Sequence, residues 1–187
     1  MTLTLRMVAG LGLLLALAGQ ARATVLVYHD HRQLSERASV VVRGRVVAQR
    51  VVLLDGRPFT ETRVRVAERL KGKVHSGDSL LVRQPGGETR TVGMRVAGTA
   101  RFQVGEHVLL FAEDAGSHYL PVGLCQGKYR IYRDGKGTLR GRRELGEVSF
   151  AVFDVNGRIR LLRDAAASDP ALSELVQAIR GHAGGAR

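Results

Sequence analysis

Two hydrophobic periods divide the chain. From Val25 to Leu162 apolar residues alternate or run together in short stretches broken by glycine, whereas Leu172, Leu175, Val176 and Ile179 recur at i, i+3, i+4 and i+7. The first pattern predicts strands and the second a helix. Val25 to Tyr28 reads as a short strand, followed by Asp30 with Gln33 three residues on, a capping box that predicts a short helix reaching Ala38. Ser39 to Leu54 is dominated by valine (Val40, Val41, Val42, Val46, Val47, Val51 and Val52), a residue stiff at χ1 that packs well on a pleated surface. Gly44 inside that strand marks a bulge or bend of the kind that turns a barrel corner. Asp55-Gly56 predicts a hairpin, with a returning strand from Phe59 to Leu70. Alternation along it puts Thr62, Val64, Val66 and Leu70 on one face, and Glu61, Arg63, Arg65 and Arg69 on the other.

Further strands are expected at Ser79–Arg83, Thr91–Val96, Glu106–Ala112, His118–Val122 and Lys128–Arg133. A late hairpin, Val148–Val155 with Arg158–Leu162, turns at Asn156-Gly157. The helix is expected over 170–180, with Asp169 as its N-cap, Pro170 in its first turn and Gly181 as its C-terminal cap. Its apolar stripe should dock on the sheet. The fold class that follows is mainly β: an OB-like closed β-barrel with a short N-terminal helix and a docked C-terminal helix.

The N-terminus follows another rule. Arg6 supplies a positive start, Val8 to Ala18 an apolar core, and Ala21-Arg22-Ala23 a small-x-small cleavage site, the pattern of a secretory signal peptide. As a helix that core would cover about 17 Å, against a hydrocarbon layer of about 30 Å, so a transmembrane anchor is disfavoured. The expected organisation is therefore a signal peptide at 1–23, one barrel domain at 24–181 and a frayed tail at 182–187. The mature protein would be exported, periplasmic or extracellular, and would begin at Thr24.

Composition narrows the chemistry. The 187 residues carry a formal charge of +12, and loss of Arg6 and Arg22 with the leader would leave +10. The basic residues are 25 Arg and only 4 Lys. Such a charge favours anionic partners: nucleic acid, lipopolysaccharide or acidic proteins. Cys125 is the single cysteine, which excludes an intramolecular disulfide; Val122 and Leu124 beside it predict a buried, inert thiol. Among the six histidines only His29 and His31 lie close together, too few for a recognisable metal site. Gly135-Lys136-Gly137 would suit a phosphate or an ordinary tight turn. No G-x-S-x-G, H-E-x-x-H or P-loop pattern occurs, so neither a catalytic residue nor a cofactor is implied.

The stretch Ser39-Val-Val-Val-Arg-Gly-Arg-Val-Val, then Arg63-Val-Arg-Val-Ala-Glu-Arg-Leu-Lys-Gly-Lys, then Phe102-Gln-Val-Gly-Glu-His-Val-Leu-Leu-Phe resembles a group of uncharacterised exported bacterial proteins. Their core looks like the netrin-module and tissue-metalloproteinase-inhibitor barrel, an OB-type fold; the resemblance covers about Ser39 to Arg133. The inhibitors of that family chelate the protease zinc through an N-terminal cysteine, whereas Thr24 stands here and the family's disulfides are missing. The resemblance thus implies an interaction fold without the inhibitory edge. Two functions are expected first, a non-enzymatic module that binds an envelope or secreted protein or a polyanion binder, with a protease inhibitor or a hydrolase as lesser alternatives. The second would use an arginine-rich face of Arg43, Arg45, Arg63, Arg65 and Arg69. OB-type barrels that hold single strands add stacking aromatics, and near these arginines only Phe59 could serve.

Overall fold

A computed structural model describes residues 24–145, 148–153, 156–162 and 169–184. The expected signal peptide and the last three residues of the tail lie outside them. In chain order the elements are β1 (Val25–Val27), α1 (His31–Arg37), β2 (Val40–Leu54), β3 (Arg57–Lys71), β4 (Ser79–Pro85), β5 (Gly87–Glu88) and β6 (Gly93–Met94). Then follow β7 (His107–Asp114), β8 (Tyr119–Pro121), a 3-10 turn (Leu124–Gly127), β9 (Lys128–Arg133), β10 (Leu139–Arg143), β11 (Ser149–Phe153), β12 (Ile159–Leu162) and α2 (Leu172–Gly184).

The long hairpin β2–β3 organises the rest. Asp55 and Gly56 both take positive φ, 49° and 74°, the geometry of a two-residue turn that matches strand twist. β3 pairs with β4, β2 pairs with β7, and β8 lies antiparallel to β7 and parallel to β4 at Val82 and Tyr119, so these five strands form a ring. β9 and β10 extend the sheet outward from the first half of β7. Valines fill the ring: Val42, Val46, Val64, Val66, Val82 and Val108 pack with Leu80, Leu110 and Phe102. A second core lies outside it, where Leu34 of α1 and Leu172, Leu175 and Ile179 of α2 cover Val41, Leu109, Phe111, Tyr129 and Ile131. Strand β7 is therefore buried on both faces, which explains its unbroken Val108-Leu109-Leu110-Phe111-Ala112 run.

The capping box of α1 forms as expected: the Gln33 N–H donates to the Asp30 carboxylate at 2.8 Å and the Asp30 N–H to the Gln33 amide oxygen at 3.0 Å. The far helix departs from expectation. Asp169 and Pro170 precede α2 without capping it, because they run along β10: the Gly141 N–H donates to the Pro170 carbonyl, and Ala171 bridges Arg140. Gly181 does not end the helix, which continues to Gly184, so the first part of the expected tail is helical. Instead of a strand at Thr91–Val96 there is only the two-residue pair β5–β6, and β10 was not expected. Residues 154 and 155 of the late hairpin lie outside the described ones.

Bulges in β2–β3 correct the face assignment as well. Gly44 pairs with Val66, Arg43 with Glu68, Val42 with Arg69 and Val41 with Lys71, leaving Ala67 and Leu70 as extra residues on β3. Each extra residue flips the alternation. Leu70 consequently packs in the outer core, away from Val64 and Val66.

Gly44 is needed at the crossing. A Cβ there would stand 2.5 Å from the Arg65 carbonyl oxygen and 2.8 Å from Val64 Cγ1, and the backbone oxygen cannot move aside. Gly44→Ala is expected to lower the unfolding free energy by about 1–3 kcal/mol through overpacking. A urea titration checks this, with Gly56→Asn, at an open turn position, changing stability little.

Candidate functional site: an arginine ladder on the ring exterior

Register builds this face. Residues paired across β2, β3 and β4 share a side of the sheet, giving the rows Arg45–Arg65–Ser79, Ala48–Arg63–Leu81, Arg50–Glu61–Arg83 and Val52–Phe59–Pro85. Successive rows are two residues apart along β3, about 7 Å. They point outward because the alternate positions, Val46, Thr62, Val64, Leu80 and Val82, fill the interior.

The charges within the ladder are unequal. Glu61 is 5% exposed and held from both sides: Arg83 Nη2 lies 2.6 Å from its Oε1 and Arg50 Nη2 lies 2.7 Å from its Oε2. Those hydrogen bonds, Arg83 first and Arg50 second, hold its carboxyl below the usual carboxylate range, against an opposing effect of burial. Arg45 and Arg65 stand directly opposite each other, a like-charge pair that works against sheet stability. Arg45 Nη2 lies 2.6 Å from Nε2 of His107, and Arg65 donates to the Gly77 carbonyl at 3.2 Å. The Arg63 side chain makes no hydrogen bond or ion pair with the described residues. Small Ala48 and half-buried Leu81 flank it, leaving a depression of about 280 Å³ lined also by Gln49, Arg50 and Glu61. An exposed guanidinium over an apolar floor, its one neighbouring carboxylate already engaged, can grip an anion through two parallel N–H donors.

Three of the five expected arginines, Arg45, Arg63 and Arg65, meet here. Arg43 is diverted: its Nε lies 2.9 Å from Glu68, which Arg180 of α2 also reaches at 2.8 Å, so it ties the hairpin to the helix. Arg69 pairs with Val42, an interior residue, and so falls on the opposite side of the sheet. Arg50 and Arg83 were missed. The turn at Asp55-Gly56 sets Arg50 opposite Glu61, so counting back from it would have found the first; Arg83 depends on the β3–β4 register, which no turn residue announces.

The other candidates resolve into structure. Cys125 is 2% exposed, and burial pushes its thiol up to about 11 while Sγ donates to the Leu145 carbonyl. His31 stacks on Tyr129, whereas the His29 backbone N–H donates to Gln126 and burial, aided by Arg37 and Arg143, pulls its imidazole down. Among the described residues no group of three or more His, Cys, Asp or Glu side chains could hold a metal ion, and no helix is long and apolar enough to cross a membrane. In the Gly135-Lys136-Gly137 loop Asp134 accepts from the Lys136 and Thr138 N–H groups, so the loop is capped by its own carboxylate where a phosphate would have sat. Lys128, 1% exposed, is braced by Glu106 at 3.0 Å, Glu144 at 2.9 Å and the Arg101 carbonyl. No protein-family model and no curated protein sequence matches the chain.

The Glu61 cluster makes stability depend on pH with a definite sign. Its folded pKa lies below its ordinary value of 4.5, so the stabilisation is complete above that value and is lost as pH falls through the folded one. Glu61→Gln is expected to cost about 1–3 kcal/mol at pH 7. Urea midpoints for the two proteins should converge as pH is lowered below 4.5 and through the folded pKa.

Proposed function

We propose that this chain is an exported, non-enzymatic binding module built on an OB-like barrel, and that the exterior face of β2, β3 and β4 holds a linear polyanion. Numbered within the ring, β2, β3, β4, β7 and β8 are strands one to five; the neighbour order is then one, two, three, five, four and back to one, with three and five parallel. That order supports the OB-type reading and the resemblance to the netrin-module barrel. OB-folds bind oligonucleotides and oligosaccharides on the face of their second and third strands, here β3 and β4. The observation that carries the proposal is the set Arg45, Arg63 and Arg65: one direct like-charge pair and one unpartnered guanidinium, with no carboxylate facing them in their rows. A ladder of cations that destabilises the free protein is relieved when phosphate or sulfate groups bind along it.

The protease-inhibitor mode gains no support. The Thr24 carbonyl, which would have to face a zinc ion, accepts from the Ser149 N–H at 3.0 Å. Export rests on the leader pattern, and N-terminal sequencing of protein recovered outside the cytoplasm should begin at Thr24.

Phe59 is the one stacking platform in the ladder, so affinity rests on charge. Five arginines offset by Glu61 amount to about four phosphate contacts, and a single-strand slope of about −0.7 per contact weakens binding roughly 50-fold from 50 to 200 mM salt. Replacing Arg63 and Arg65 together with Ala should flatten the logarithmic slope by about 1.4. Fluorescence anisotropy with a mixed-sequence single-stranded oligonucleotide reads both, and heparin in a parallel titration separates base-dependent from purely anionic binding. A response flat in salt, or a slope unchanged in the double variant, refutes the ladder as the site.

A further inference from the structure

The strand order of the small sheet is β1–β11–β12, with Val27, Ala151 and Leu161 in one row and Phe153 beside Ile159 in the next. The alternate residues, Leu26, Phe150 and Leu162, turn toward the protein and pack with Cys125, Leu145, Tyr28 and Val148. Such a sheet, wet on one side, should alternate apolar with polar residues. β1 and β11 do not alternate, whereas β12 carries Arg160, opposite Val152, between Ile159 and Leu161. Val25-Leu26-Val27, Phe150-Ala151-Val152-Phe153 and Leu161-Leu162 are continuous, the composition of strands covered on both faces. Yet Val25 is 50% exposed, Val27 45%, Phe153 60%, Ile159 66% and Leu161 63%.

We infer that this face is the interface of a two-fold dimer, the small sheet of one copy packing on the same sheet of a second. Charge selects the occupant. The rows contributing to this face are Val25 with Ser149, Val27 with Ala151 and Leu161, and Phe153 with Ile159; none holds a charged residue, although the chain carries +12 overall. A polyanion or an anionic membrane would find no cation in these rows, and two copies would bring no like charges together there. Shape agrees: two flat apolar sheet faces stack about 10 Å apart, and a self-complementary patch meets itself across a two-fold axis. The five side chains expose on the order of 500 Å². Two copies would then bury about 1,000 Å², the lower bound for a specific interface. Ala151, the smallest side chain of its row, lies between Val27 and Leu161.

Sedimentation equilibrium of the purified protein over a wide concentration range tests the interface. The expected result is a mass approaching twice that of the monomer, unaffected or strengthened by sulfate because the contact is apolar. Ile159→Glu and Leu161→Glu, at positions already exposed in the monomer, should return the mass to one copy while circular dichroism stays unchanged and the melting midpoint matches that of wild type diluted to its monomer. Should a charged variant melt early, Ile159→Thr keeps a β-branched residue in the strand and should still weaken the dimer. A wild-type protein that stays monomeric throughout, or a dimer that survives these substitutions, overturns the inference. A monomer that captures an envelope protein, with capture lost in Leu161→Glu, also overturns it and assigns the face to that partner.

Discussion

The pairing register of β2 with β3 is the constraint on which the rest depends. A two-residue turn fixes it at one end, and Gly44 permits the strands to cross closely near the other. Between them, bulges decide residue by residue which side chain enters the ring and which leaves it. Without the shift at Gly44, Arg43 would stay in step with the arginines of β3, and Leu70 would turn toward the ring. With it, Arg43 and Glu68 meet Arg180, and Leu70 reaches the helices. One backbone accommodation thus divides a valine-rich hairpin between an inner core and an outer one, and the same accommodation selects the arginines that share a face.

Much of this was legible in the chain because local rules suffice for it. The capping box, the Asp55-Gly56 turn, the valine runs and the i, i+3, i+4, i+7 stripe each carry their own physical signal, and each produced its element. Where expectation failed, a distant contact had overridden a local preference. Asp169 has the chemistry of an N-cap, but Tyr132 and Arg142 both donate to its carboxylate, so it anchors β9 and β10 instead. Gly181 has the chemistry of a helix stop, but Leu175 and Ile179 are already docked, and the helix passes through it. β10, Leu139-Arg-Gly-Arg-Arg, has no hydrophobic alternation; it is a strand because β9 offers an edge and α2 covers it, with Leu175 2.6 Å from where a Gly141 side chain would begin. Three of the five expected arginines converged for the same reason that two did not: alternation reads correctly only between bulges.

A charge of +12 suggests an undifferentiated basic surface, but the arginines fall into two populations. Many are structural. Arg143 lies over the rings of Tyr28 and Tyr129 and donates to the His29 carbonyl, closing the small sheet onto the main one. Arg140 is paired with Asp134, Arg142 with Asp169, and Arg83 with Glu61. In each of these a planar fork meets a carboxylate or a ring, and the charge is already satisfied. The rows of Arg45, Arg63 and Arg65 differ because no carboxylate faces them. Net charge alone therefore says little about binding here; the local excess of guanidinium over carboxylate on one face says more.

That excess and the apolar face of the small sheet also obey opposite solvent rules. Phosphate contacts weaken as salt releases counterions, whereas apolar burial is indifferent to sodium chloride and is strengthened by sulfate. The two surfaces belong to different sheets and different cores, so neither needs the other to form. If the small sheet joins two copies, however, it also joins two ladders. A long polyanion that engages one ladder then meets the second at a raised effective concentration, and affinity rises without any new contact on either face. Dimerisation would in that case matter most for the longest ligands and least for a short oligonucleotide that fits a single ladder, so length dependence of binding is the property through which two chemically independent surfaces become one function.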